Sequence, residues 1–133
     1  MDKVVLVTGG GRGIGRATCY LAAERGYRLV INYTSNAATA EAVKKDIEAK
    51  GGKAIAVKAD VSNEAEVVAM FKEADRLGPL WGLVNSGGVV LPDHRIDQTN
   101  VADLMRIFAV NAIGPFIAMR EAILRMSSKH GGK

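Results

Sequence analysis

The sequence predicts an α/β protein with one parallel sheet and helices on both of its faces. Three observations carry this. Short Val- and Ile-rich runs lack the in–out alternation of a half-exposed strand, the pattern of strands buried on both faces. These runs alternate with segments of helical length, which implies parallel pairing through right-handed crossovers. Gly, Asp or Asn residues cut off most of the runs, as turn chemistry requires.

Taken in order, Lys3 to Thr8 (KVVLVT) predicts the first strand, and the glycines from Gly9 to Gly13 break it. A helix is expected from about Ile14 to Arg25, stopped by Gly26. Tyr27 to Tyr33 (YRLVINY) predicts the second strand. Asn36 can cap a helix reaching about Lys50, where Gly51 and Gly52 end it. Lys53 to Ala59 (KAIAVKA) is the third strand, followed by the turn Asp60-Val61-Ser62. Asn63 or Ser62 can cap the next helix, and Glu66 stands at capping-box spacing from Asn63. That helix ends before Gly78-Pro79, and Leu80 to Asn85 (LWGLVN) is the fourth strand. After a polar loop to about Asn100, one long helix is expected from Val101 to about Lys129. Its apolar residues Val101, Leu104, Met105, Phe108, Ala112, Phe116, Met119, Ile123 and Met126 recur at three- and four-residue steps.

The 133 residues suit a single domain, 1–133, with no internal repeat or low-complexity tract. Apolar residues make up 48% and charged ones 24%, which excludes a disordered or collagen-like chain. The net charge of +4 is local: residues 1–60 hold ten basic and six acidic side chains, the rest eight of each. That excess suits a phosphate-bearing ligand or a solvated basic face. No basic run interleaved with aromatics points to nucleic acid. The single cysteine, Cys19, allows no internal disulfide and fits a reducing compartment. The strand-like start leaves no room for a signal peptide, and no apolar run approaches the roughly 18 residues of a membrane span. A cytoplasmic location is expected. No Cys/His cluster suggests a metal, and His94 and His130 are expected to be solvated.

Gly9, Gly13 and Gly15 are spaced G-x-x-x-G-x-G between the first strand and the first helix. Such glycines let the backbone approach a pyrophosphate, and the helix supplies free N–H groups and a positive dipole. The alternative is a glycine-rich turn with no ligand. No Lys-Ser/Thr follows, which argues against a P-loop. A carboxylate at the end of the second strand would bind the ribose 2′-OH of NAD. Asn32, Tyr33, Thr34 and Ser35 stand there instead, and Arg12 is a cation able to reach a 2′-phosphate. NADP is therefore expected over NAD, unless Arg12 is merely solvated. Asp60 and Val61 close the third strand, where the carboxylate lies near an adenine amino group or caps a turn. Asn85, Ser86, Gly87 and Gly88 close the fourth, either admitting a ligand or simply ending the strand. Pro115, inside the long helix, denies the carbonyl of Asn111 its i+4 partner and predicts a kink.

In this order and spacing, TGGGRGIG, the Asp60-Val61 pair, LVNSGG and FAVNAIGPF resemble the short-chain dehydrogenase/reductase family. Tyr33 to Gly88 is particularly similar to 3-oxoacyl-carrier-protein reductase and glucose-dehydrogenase-like members. The resemblance implies a Rossmann-type sheet in the order 3-2-1-4. It implies that Gly9, Arg12, Gly13, Ile14 and Gly15 contact the pyrophosphate and adenosine ribose. Asp60 and Val61 would border the adenine, and Asn85 and Gly87 the nicotinamide ribose. Asn111 matches a helix asparagine whose carbonyl holds a water in a proton relay. Ser86-Gly87 departs from the family's usual Asn-Ala. The family's catalytic serine and Tyr-x-x-x-Lys are not found. Tyr20, Tyr27 and Tyr33 are followed four residues on by Glu24, Ile31 and Ala37, and Ser127 and Ser128 precede the missing strand.

The expected function is an NADP-dependent oxidoreductase acting on a small carbonyl or alcohol by hydride transfer. These residues would supply its cofactor-binding part and be inactive alone. The alternative is a non-catalytic NADP-binding remnant or interaction module. The fourth strand would be an exposed edge leaving Leu83 and Val84 without a neighbour. Part of the long helix's apolar face would also lack cover. Since the family uses this helix at its main subunit interface, a homo-oligomer through residues 101–129 is expected, with no nucleic acid and no membrane.

Overall fold

The computed structural model describes residues 1–92 and 94–132. Its four strands are β1 (Val4–Thr8), β2 (Arg28–Tyr33), β3 (Ala54–Lys58) and β4 (Leu80–Asn85). They form one parallel sheet in the order β3-β2-β1-β4, as expected. Leu6 sits between Val30 on one side and Leu83 on the other, so β1 is the strand paired on both edges nearest the site.

Alternate residues of β1 feed two cores. Val4 and Leu6 point to the face covered by α3 (Glu64–Leu77) and α5 (Gly114–Met126), where Phe71, Met70 and Ile117 pack. Val5 and Val7 point to the face covered by α1 (Gly13–Glu24) and α2 (Ala37–Ala49), with Cys19, Val43 and Ile47. Burial on both faces is why the β1 run is continuously apolar.

The helix ends follow local chemistry. Asn36 and Asn63 cap α2 and α3 by accepting the N–H groups of Thr39 and Glu66. The reciprocal half of the expected capping box is not made. The Glu66 carboxylate bonds instead to the N–H of Asp60 at 3.2 Å. The Asn63 N–H is already taken by the Asp60 carbonyl, so the glutamate reaches past it.

The long helix differs most from expectation. Asn100 caps α4 (Val101–Phe108), a π turn covers Ala109–Ile113, and α5 follows. The Gly114 N–H bonds to the carbonyl of Ala109, five residues back. The expected kink at Pro115 is thus a π turn. It places the proline in the first turn of α5, where its missing N–H costs least. The helix stops at Met126 rather than near Lys129, because Ser127 is extended and a 3-10 turn, Ser128–His130, closes the end.

The apolar stripe of this helix, except Met126, faces outward. Val110, Ile117, Ala118 and Ala122 form the buried side. Val101–Met126 also corrects the expectation that nothing is long and apolar enough for a membrane. By length and composition it is, with a mean hydropathy of 1.5. Its inner side nevertheless packs in the protein core, and Arg125 forms paired bonds of 2.7 and 2.8 Å with Asp75 of α3.

Candidate active site: the glycine-lined cleft

At the carboxyl edge of the sheet, β1 leads to a helix on one face while its neighbour β4 leads to the other. Open α/β sheets bind ligands at such a point. A cleft of about 630 Å³ opens there. Gly9 has φ +62, and a Cβ there would lie 2.8 Å from Cα of Gly87, so glycine meets both demands of the turn. A Cβ at Gly15 would run into the carbonyl of Gly9. Thr8 Oγ1 accepts the N–H groups of Ser86 (3.1 Å) and Gly87 (3.0 Å), tying the end of β4 to the end of β1.

Helix α1 begins at this turn without a side-chain cap and without an acidic residue in its first turn. Its leading N–H groups therefore lack the usual partner. Beneath the turn lies Cys19, whose thiol faces the Gly10 carbonyl; burial pushes its pKa up to about 12. It is a protonated core residue at neutral pH.

Asn32 faces inward rather than toward a ligand. Its side chain is 1% exposed. Oδ1 accepts the N–H of Gly9 at 3.2 Å, and Nδ2 donates to the carbonyl of Ala59 at 3.1 Å. It braces the glycine turn against the end of β3. Tyr33, Thr34 and Ser35 line the cleft beyond it, with Thr34 and Ser35 exposed.

At the other end, Asp60 Oδ1 accepts the N–H (3.0 Å) and hydroxyl (2.7 Å) of Ser62. Arg106 of α4 donates to Asp60 Oδ2 at 3.1 Å and to the Ser62 hydroxyl at 3.0 Å. Partial burial alone would push the Asp60 carboxyl up. The Ser62 and Arg106 bonds outweigh it and hold the group below the usual carboxylate range.

The cleft thus gathers Gly9, Arg12, Gly13, Ile14, Asn32, Tyr33, Thr34, Ser35, Asp60, Val61, Ser86 and Gly87. Gly15 and Asn85 lie outside its lining: Gly15 is packed on the turn, and Asn85 pairs with Thr8 in the sheet. Asn111 also lies outside the lining. Its amide clamps Val89, accepting that residue's N–H at 2.8 Å and donating to its carbonyl at 2.7 Å. Sequence reasoning missed Thr39, Val89, Arg106 and Val110 as lining residues and gave Asn36 only as a helix cap. The one local signal for Arg106 was a cation among the apolar residues Leu104, Met105, Ile107 and Phe108. Among the described residues, no group of three metal-ligating side chains exists.

A family model, short chain dehydrogenase, matches residues 3–133. The chain belongs to the short-chain dehydrogenase family. The chain is 42% identical over 130 residues to the uncharacterized oxidoreductase YgfF of Escherichia coli, covering 97% of this chain and 53% of that protein. It is 41% identical to an NADPH-dependent aldehyde reductase-like chloroplastic protein of Arabidopsis thaliana, over 98% of this chain and 53% of that one. Its fold is similar to a double variant of a Serratia marcescens short-chain dehydrogenase/reductase, with TM-score 0.89 and 35% identity. That match covers 95% of this chain and 51% of the other. The chain therefore spans about half the length of the relatives it matches.

Proposed function

We propose that these residues form the cofactor-binding part of an NADP-dependent oxidoreductase that interconverts carbonyl and alcohol groups by hydride transfer. The observation that carries this is the bare amino end of α1, opening onto a cleft whose β2 rim holds no carboxylate. The leading N–H groups of α1 suit a diphosphate. Gly9 and Gly15 supply the close approach, and Gly13 and Ile14 the edge of the turn. Arg12, Thr34 and Ser35 offer a cation and two hydroxyls to a 2′-phosphate, with Tyr33 beside them. Asp60 and Val61 border the adenine, while Ser86 and Gly87, next to Asn85, receive the nicotinamide ribose. The relative named as NADPH-dependent supports the same choice of cofactor.

The nicotinamide, when bound, supplies the hydride. A proton donor must then neutralise the developing alkoxide. Tyr20 is committed elsewhere, donating to Asp46 at 2.6 Å on the α1–α2 surface. Tyr27 lies at the opposite edge of the sheet. Tyr33 lines the cleft but is followed four residues on by Ala37 rather than Lys. The share of the reaction assigned to these residues is thus to bind and orient the cofactor, with Asn111 in a supporting place. Asn111 holds the loop after β4 in place and belongs to the proton relay.

Titration of reduced-nicotinamide fluorescence tests this reading. NADPH should bind about tenfold more tightly than NADH, and Arg12→Ala should erase the difference. Equal affinities in the unmodified protein would refute the NADP assignment.

The outward stripe on α4 and α5 supports assembly with a second copy. Phe108 and Phe116 are 57% and 60% exposed, more than isolated surface apolar residues account for. Light scattering should find at least a dimer, and Phe108→Glu should shift it toward monomer. A cytoplasmic location goes with this reading, since Cys19 is unpaired.

A further inference from the structure

We propose that Arg106 is a positioning residue that makes the cleft selective for a 6-aminopurine, by fixing the Asp60 carboxylate in one acceptor geometry. The inference rests on the cofactor reading above and goes beyond it to the base. A carboxylate has roughly four lone-pair sites. In Asp60, Ser62 occupies two on Oδ1, and Arg106 occupies one on Oδ2. The Ser62 hydroxyl is itself fixed, donating to Asp60 and accepting from Arg106 at 3.0 Å. The three side chains close a ring, and one acceptor position on Oδ2 is left over.

The Asp60 side chain is 29% exposed and lines the cleft, so that remaining position is open to a ligand. Asp60 is ionised at neutral pH, as any carboxylate held at or below its ordinary range is, and is hence acceptor-only. An acceptor-only group welcomes an amino substituent and repels a carbonyl oxygen. Adenine carries the former at position 6 and hypoxanthine the latter. Without Arg106, the carboxylate is held on one oxygen only, and the second can turn toward solvent. The arrangement comes from tertiary packing, since Arg106 lies on α4, 46 residues beyond Asp60.

The test compares NADPH with its hypoxanthine analogue, deamino-NADPH, by reduced-nicotinamide fluorescence. Both carry the same reporter and the same phosphates. The unmodified protein should prefer NADPH by about tenfold, the worth of one charge-assisted hydrogen bond. Arg106→Gln should cut that preference to below about threefold while leaving the NADPH-to-NADH ratio unchanged. Arg106→Lys should restore part of it, and Ser62→Ala should weaken it in the same direction. Arg106 is half exposed, so its replacement opens no buried hole. If Arg106→Gln keeps the full preference, or weakens both dinucleotides equally, Arg106 does not position the base reader. If the unmodified protein binds both dinucleotides equally, Asp60 does not read the base. If it binds neither, the cofactor reading falls, and this proposal falls with it.

Discussion

Helices α1 and α3 both start at the carboxyl edge of the sheet, yet their amino ends are finished in opposite ways. Asn63 caps α3, Glu64 and Glu66 lie in its first turn, and Glu66 reaches back to Asp60. Asn63 takes up one of the free N–H groups, and the acidic side chains offset the positive end of the dipole internally. Helix α1 has Arg12 at the capping position, no side-chain bond and no acid in its first turn. It adds positive charge where the dipole is already positive. Stability would favour the α3 solution at both ends, so the protein forgoes it where the glycine turn opens the cleft. On the proposed reading, the helix left unfinished is the one that an anion completes.

The strongest way to break this contrast is to give α1 the ending of α3. Arg12 has φ −153 and ψ 166, a backbone geometry that suits a capping residue. Arg12→Asp should lower NADPH affinity about a hundredfold, through loss of a cation and gain of a carboxylate. The same change should stabilise the fold by ~0.5–1 kcal/mol, read as a higher melting temperature. Unchanged binding in this variant would mean that the bare end of α1 is not used. Next in size, Gly9→Ala forces a side chain into positive φ and against Gly87. We expect ~2 kcal/mol of lost stability in denaturant unfolding, with weakened NADPH binding.

On the α3 side the cap acts on stability alone. Asn63→Ala should cost ~1 kcal/mol and leave NADPH affinity unchanged. A matching loss of affinity would show that the two helix ends are coupled. The smallest effect concerns pH. Because the folded protein holds the Asp60 carboxyl below its ordinary value of 3.8, its contribution is present above that value. It is lost as the pH falls through the lower folded value. Asp60→Asn should flatten stability below about pH 4, measured as melting temperature against pH.

Much of the fold was legible because its signals are short-range. The β4 boundaries, Leu80–Asn85, came directly from an apolar run between Gly78-Pro79 and Ser86. The Asn36 and Asn63 caps act within three residues, as turn chemistry does. Where two local partners compete for one N–H, spacing alone does not decide the bond. Glu66 had capping-box spacing, but the Asp60 carbonyl had already taken the N–H it was expected to bind. The apolar periodicity of residues 101–126 identified a helix without saying which stripe faces the core. Val110 and Ile117 turn inward, while Phe108 and Phe116 turn outward, and all four are apolar.

The alternation of strands and helices, the glycine turn after β1 and the lack of a carboxylate beyond β2 follow from the order of residues alone. Each depends on residues within a few positions of one another, where backbone sterics and side-chain reach decide. Tertiary structure alone decided that Asn32 braces Gly9 across 23 residues, that Asn111 clamps Val89 across 22, and that Arg106 meets Asp60 across 46. A side-chain hydrogen bond needs its partners within about 3 Å. Only the packing of helices onto a finished sheet brings residues so far apart in the chain to that distance.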